Sequence, residues 1–326
     1  MLKNKKGQRE ERDPSTSWKT RNAQDDRRKN FVMECIIFDG KEFAKDKELQ
    51  LHKQVEEMLA SGKKIRIQTF TFLEDEGSRL YTKLKSQAAE RIGIVYEPVE
   101  VSIHTPLPEL LTRITKANQT SEIGGVMVQK PTKDCWEHSN PQTTGSFAEW
   151  WETIAQAIDP QKDVDCLTKE NLEKIGTREQ EAALLPATVR ACVSILHEAK
   201  TLLSVSDEDW KEKKIVVIGR SDIVGKPLAQ ILKLQGHTVR NIGKRELADS
   251  QFQLNTYDIV ISATGVPNLI TGEKIKLGAV VIDVGSPHGD AESESVQKNA
   301  QFLTPVPGGV GPVTVVSLME NCLLLA

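Results

Sequence analysis

The chain has no CxxC pair, no histidine set at metal-ligand spacing, no apolar run near the roughly 20 residues that span a bilayer, and almost no excess charge. Each absence removes a class of function. The five cysteines, at positions 35, 135, 166, 192 and 322, are too scattered for a disulfide framework or a zinc site. A reducing, cytoplasmic setting and no metal are therefore expected. A net charge of -3 and a pI near 6.1 give no reason to expect nucleic acid or an anionic membrane as partner. The first thirty residues lack the apolar core of a signal peptide, which argues against export. Small-molecule chemistry remains, and 326 residues with 38% hydrophobic content can supply cores for two ordinary domains.

Residues 1–32 are nearly all charged or polar and carry too little apolar surface to offset the entropy of ordering. They are read as a disordered extension, with Met33 as a candidate functional start. Mixed charge, and Trp18 as the one aromatic before Phe31, argue against a nucleic-acid arm. Beyond them the hydrophobic period alternates, with strand-like runs at IRIQTFTFL, IVYEPVEVSI and GGVMVQ between helix-like stretches. Ser78 to Arg91 reads as a helix because Leu80, Leu84, Ala88 and Ile92 fall at helical spacing, with Gly93 as a C-cap. That helix sets Tyr81 and Lys85 four apart on one face, which alone could be a surface pair. A Trp-rich stretch at 134–158 follows, in which Trp150 and Trp151 read as core anchors. Asp165 closes a polar turn and could equally be a solvated loop acid.

From about residue 180 the order is helix, strand (KKIVVIG), glycine-containing turn, helix, strand (HTVRNIG), then strands at YDIVISATG and GAVVIDVGS apolar enough to be buried on both faces. This predicts an α/β fold with a Rossmann-like, doubly wound parallel sheet. The turn from Gly219 to Gly225 joins a strand to a helix, where backbone amides and the helix dipole attract anions, although its glycines are spaced wider than in GxGxxG. Where an NAD-specific unit offers a carboxylate to the ribose, the chain reads Asn241-Ile242-Gly243-Lys244-Arg245, and these basic groups favour a 2′-phosphate. Three prolines and three glycines between Thr304 and Pro312 impose a rigid path beside the nucleotide unit. The final helix needs another domain to cover its apolar face, and is expected to cross back to the first.

These motifs (IIFDGK, SRLYTKLKSQAAERIGI, VQKP, KDVD, GRSDIVGKP, ISATGVP, VIDVG and TPVPGGVGP) closely resemble the bifunctional methylenetetrahydrofolate dehydrogenase/methenyltetrahydrofolate cyclohydrolase family from Met33 to Ala326. The resemblance implies an N-terminal folate domain (33–180 with 313–326), an NADP-binding domain (181–312) and a homodimer paired through the latter. It implies oxidation of 5,10-methylenetetrahydrofolate with NADP, then hydrolysis to 10-formyltetrahydrofolate, in one-carbon metabolism and purine biosynthesis. By the same resemblance Lys85 is the catalytic lysine, Tyr81 stacks on the folate, Gln129 tunes the lysine and Asp165 binds folate. Ser78, Val128, Pro307, Gly308, Gly309 and Val310 complete the substrate cleft. The cofactor falls to Gly219, Arg220, Ser221, Ile223, Val224 and Gly225, to Lys244 and Arg245, and to Thr264, Gly265, Asp283, Gly285 and Ser286. Preference for NADP over NAD is expected. The chain departs from the family at Lys130, Cys166, the Pro186-Ala187-Thr188-Val189 segment and Ser286-Pro287. A dehydrogenase with impaired cyclohydrolase activity is the competing reading, and a non-catalytic dinucleotide-binding protein a second.

Overall fold

The computed structural model describes residues 34–140, 145–175 and 184–326. The extension expected at 1–32 and the domain boundary expected at 180–181 lie outside the described residues, as do four positions of the Trp-rich stretch. Among the described residues, β1 (Ile36–Ile37) and α1 (Gly40–Ala60) lead into β2 (Arg66–Phe72), α2 (Glu76–Ile92), β3 (Val95–Val101), α3 (Leu107–Gln119) and β4 (Gly125–Val128). Three short helices, α4 (Lys133–Ser139), α5 (Phe147–Gln156) and α6 (Lys169–Lys174), precede α7 (Ala187–Leu202) and α8 (Asp207–Lys211). The second half runs β5 (Lys214–Ile218), α9 (Gly225–Leu234), β6 (Thr238–Ile242), α10 (Lys244–Leu247), β7 (Ile259–Ser262), β8 (Ala279–Asp283), α11 (Ser293–Asn299), β9 (Ala300–Leu303) and α12 (Val310–Leu324).

Two parallel sheets result, one ordered β3-β2-β4 and one ordered β1-β9-β8-β7-β5-β6. The strand order reverses at β5, which lies between β6 and β7, and this reversal is the doubly wound pattern the alternating sequence predicts. One feature differs from expectation. Ile36–Ile37, expected with the first domain, adds to the large sheet beside β9. Two residues are too few for any periodicity to declare a strand.

The central core is shared by both sheets. Ile67, Ala89 and Ile92 from the small sheet and its helix join Val217, Ile261, Ile282 and Phe302 from the large one, through Ile195 of α7 and Val313, Val316 and Met319 of α12. As expected, α12 crosses back, packing on α1 and α2 as well as α7. Asn321 fixes it there: fully buried, its amide nitrogen donates to Val164 O and Leu185 O, both at 2.8 Å, and its oxygen accepts Arg190 Nε at 2.8 Å. A shared core of this kind holds the two sheets in one geometry, which a site between them needs.

The Trp-rich stretch builds a second core on the outer face of the small sheet, where Trp150 lies 5.5–5.9 Å from Phe72, Trp136 and Phe147. Helix α2 also departs from the simple pattern. Its buried face is Ser78, Thr82, Lys85, Ala88, Ala89 and Ile92, while Leu80 and Leu84 are 56% and 41% exposed. Gly93 ends it in the left-handed conformation at φ 95°, as its glycine predicts. No helix among the described residues is long and apolar enough to cross a membrane.

Candidate active site

Helix α2 starts where Asp75 accepts the Ser78 amide at 2.7 Å. The other Asp75 oxygen accepts the Thr132 amide at 3.1 Å and its hydroxyl at 2.7 Å, so one carboxylate ties the helix start to the loop after β4. That clamp sets Lys85, about two and a half turns into the helix, beside Gln129, the residue after β4. The Gln129 amide in turn donates to Phe70 O at 2.8 Å, fixing its side chain's origin. Lys85 Nζ donates to Gln129 Oε1 at 2.8 Å and lies 3.4 Å from Met127 Sδ.

Lys85 is only 6% exposed, with no carboxylate within ion-pair distance among the described residues. Burial removes water from the ammonium and pushes its pKa below the ordinary lysine value, an effect that Asp165 opposes. The same burial raises the Asp165 carboxyl, which Lys85 in turn pulls down. Asp165 is half-buried, on a turn that Asp163 organises by accepting the Leu167 and Thr168 amides at 3.0 and 2.8 Å. Cys166, one of the departures from the family named above, holds the left-handed conformation at φ 54° with its side chain buried. The backbone there explains why a glycine suits the position. Cys322 of α12 is buried near both groups, and burial, aided by Asp165, raises its pKa so that the thiol stays protonated.

Tyr81 lies one turn before Lys85, and its hydroxyl is 3.1 Å from the Ser286 hydroxyl, in the loop after β8 of the large sheet. This contact joins the helix of the small sheet to a loop of the large one. Ser78 is 1% exposed, with its hydroxyl 3.4 Å from Lys130 O, and the Val128 side chain is buried in the second core. The segment at 304–312 approaches the start of α1: a Cβ on Gly40 would stand 1.9 Å from Gly309 O, and one on Gly309 would meet Pro305 O at 2.7 Å. The glycines of IIFDGK and TPVPGGVGP are thus halves of one backbone contact, and Pro307, Gly308, Gly309 and Val310 follow from it.

On the nucleotide side, the β5–α9 turn brings backbones equally close. A Cβ on Gly225 would lie 2.0 Å from Gly219 O, and one on Gly219 would lie 2.4 Å from Ala263 O. Ser221 Oγ accepts the amides of Val224 and Gly225 at 3.2 and 3.3 Å, shaping a tight loop through Ile223 before α9. Close backbone packing, an exposed arginine and the helix start fit the pyrophosphate and ribose of a dinucleotide. The Arg220 guanidinium donates to Asn241 O at 3.3 Å and pairs with Glu246, while Lys244 and Arg245 are exposed without an ion pair among the described residues. Reading the sequence as ending in basic residues here missed Glu246, which its place just after β6 could have flagged.

Asp283 is 2% exposed, and both oxygens are engaged by backbone amides: Gly285 at 2.8 Å, Asp290 at 3.0 Å and Ala291 at 2.8 Å. Thr264 is held by Asp290, which accepts its amide at 2.7 Å and its hydroxyl at 2.8 Å. Gly265, at φ 64°, turns the chain away from β7. Asp283 and Asp290 therefore build the loops that carry Gly285, Ser286, Thr264 and Gly265. Among the described residues no group of three His, Cys, Asp or Glu side chains could hold a metal ion.

A dinucleotide-type sheet, joined through the Tyr81–Ser286 contact to a smaller sheet whose helix carries a buried lysine, defines a two-domain nucleotide-binding protein of enzyme type. The chain belongs to the tetrahydrofolate dehydrogenase/cyclohydrolase family, whose catalytic domain matches residues 38–165 and whose NAD(P)-binding domain matches residues 186–326. It is 34% identical over 299 residues to the bifunctional protein FolD of Staphylococcus saprophyticus, covering 90% of this chain and 97% of that one. Identity to the FolD of Lactobacillus acidophilus is 35% over 290 residues, covering 87% and 94%. Among solved structures, the Trypanosoma brucei methylenetetrahydrofolate dehydrogenase-cyclohydrolase, complexed with NADP cofactor and inhibitor, matches with TM-score 0.76 and 30% identity over 90% of this chain and 97% of that one. The Campylobacter jejuni enzyme matches with TM-score 0.76 and 27% identity over 89% and 98%.

Proposed function

We propose that this protein oxidises 5,10-methylenetetrahydrofolate with NADP and hydrolyses the resulting methenyl compound to 10-formyltetrahydrofolate in one cleft. The observation that carries the proposal is Lys85: buried, bonded to Gln129 at 2.8 Å, and shifted toward neutrality beside Asp165. A purely nucleotide-binding protein has no use for a buried amine, whose desolvation opposes folding unless it serves chemistry.

NADP, when bound, accepts the hydride that leaves the methylene carbon. In that step the protein's part is to align two rings, with Tyr81 under the folate and the Gly308–Gly309 backbone closing the cleft. Hydrolysis needs protons moved. Neutral Lys85 takes a proton from the water that adds to the methenyl carbon and returns it to the ring nitrogen as that nitrogen's bond to the carbon breaks. The adduct's hydroxyl loses its proton as the formyl group forms, so one proton leaves to solvent. Gln129 accepts from the amine and aims it, and Asp165 stabilises the ammonium while it lasts. An intact Lys85–Gln129 pair supports two activities rather than dehydrogenase activity alone.

The domain assignment, 33–180 with 313–326 for folate and 181–312 for nucleotide, belongs to this reading. So do a cytoplasmic setting and a homodimer formed through the nucleotide domain. Strand β6 is one of the two edges of the large sheet among the described residues, the other being the two-residue β1, and an edge strand leaves a row of backbone groups open to pairing. Following methenyl absorbance from methylenetetrahydrofolate with NADP, then NAD, tests the reading. Formation and decay of the methenyl signal with NADP are expected, and no signal with either cofactor would overturn it.

A further inference from the structure

Glu246 is the acid that Arg220 meets. One of its oxygens takes the guanidinium and the other accepts the Gly243 amide at 3.0 Å, so the carboxylate is held at both ends. Gly243 makes room for this arrangement, because a Cβ there would lie 3.1 Å from Glu246 Oε2 and 3.9 Å from Arg220 Cδ. Two further cations, Lys244 and Arg245, stand exposed beside the pair.

The end of the second strand of a doubly wound sheet faces the adenosine ribose. A carboxylate in that position accepts a hydrogen bond from a 2′-hydroxyl and repels a 2′-phosphate, whereas a guanidinium recognises the phosphate. Here the two groups are joined. A 2′-phosphate must share Arg220 with Glu246 or displace it against like charge, while a 2′-hydroxyl requires neither. We propose that Glu246 is a specificity-determining residue that, by holding Arg220, relaxes the preference for a 2′-phosphate and lets the site also take nucleotides with a free 2′-hydroxyl. This rests on the reading of the Gly219–Gly225 turn as the dinucleotide site.

The test is titration calorimetry of the full-length enzyme with 2′,5′-ADP and with 5′-ADP, without folate or turnover. Wild type should bind both, with affinities within about tenfold. Glu246→Gln keeps an acceptor for the Gly243 amide and removes the charge. Because exposed charge pairs have modest effects, it should widen the ratio in favour of 2′,5′-ADP by about fivefold. That gain should vanish when Arg220→Met is added, and shrink in high salt. A ratio within about twofold of wild type, a gain that survives Arg220→Met, or a wild type already favouring 2′,5′-ADP more than about a hundredfold would each overturn the proposal. If wild type bound neither nucleotide, the dinucleotide site itself would fall, and Glu246's role with it. If binding is sound but the ratio does not move, only Glu246's role falls.

Discussion

The two sides of the cleft handle charge in opposite ways. On the folate side a single amine, Lys85, is 6% exposed, desolvated and denied an ion-pair partner. At the nucleotide rim Arg220, Lys244 and Arg245 stand in water, and Arg220 shares its charge with Glu246. The difference follows from the work proposed for each side. A proton carrier must change ionisation near neutral pH, which only burial or strong neighbouring charge can arrange for a lysine. An anion-recognising group must stay charged and needs no shift, so a solvated arginine suffices.

The comparison breaks most sharply at Lys85. Lys85→Met should slow hydrolysis of methenyltetrahydrofolate by about 10²–10⁴-fold. Hydride transfer should persist, so methenyl product should accumulate in the coupled assay. Equal losses in both steps would mean that the lysine positions substrate and carries no proton. Next comes the support beneath the floor: Asn321→Ala strands two buried carbonyls and should lower stability by about 2–4 kcal/mol, read as a lower denaturant midpoint at unchanged slope. At the rim Arg220→Met should lower kcat/KM for NADP about tenfold and that for NAD far less, measured side by side.

Much of this contrast is legible in the sequence, though unevenly. Long parallel strands such as KIVVI and AVVID announce themselves by unbroken apolar runs, and GRSDIVGKP announces a turn with close backbones. Helix α2 is harder. Its leucines fall at helical spacing, yet Leu80 and Leu84 face outward while Ser78, Thr82 and Lys85 are buried. Periodicity finds a helix but assigns its inner face by hydrophobicity, and here the inner face is polar because it carries the site. Leu84→Gln should therefore change stability by no more than about 0.5 kcal/mol, the smallest effect expected, where a core leucine would cost several times more.

Partners far apart in sequence are not legible at all. Nothing local pairs Gly40 with Gly309, couples Asn321 to Val164 and Leu185, or joins Arg220 to Glu246. Asp283 illustrates the converse: its position at a strand end suggests a ligand contact, but its oxygens are committed to three backbone amides. Residue type and position indicate where charge is needed, while the tertiary fold decides what that charge touches.

As the proposed base, buried Lys85 links stability and rate to pH together. A lysine whose folded pKa lies below its unfolded value binds fewer protons when folded, so stability rises with pH across the window between the two values. The rate of hydrolysis should rise with pH as Lys85 gives up its proton. The most direct measurement is an NMR titration of the Lys85 side chain in the full-length enzyme, assigned by its loss in Lys85→Met. The account predicts a midpoint clearly below that of the exposed lysines and coincident with the pH limb of hydrolysis. A Lys85 that titrates with the exposed lysines would contradict it.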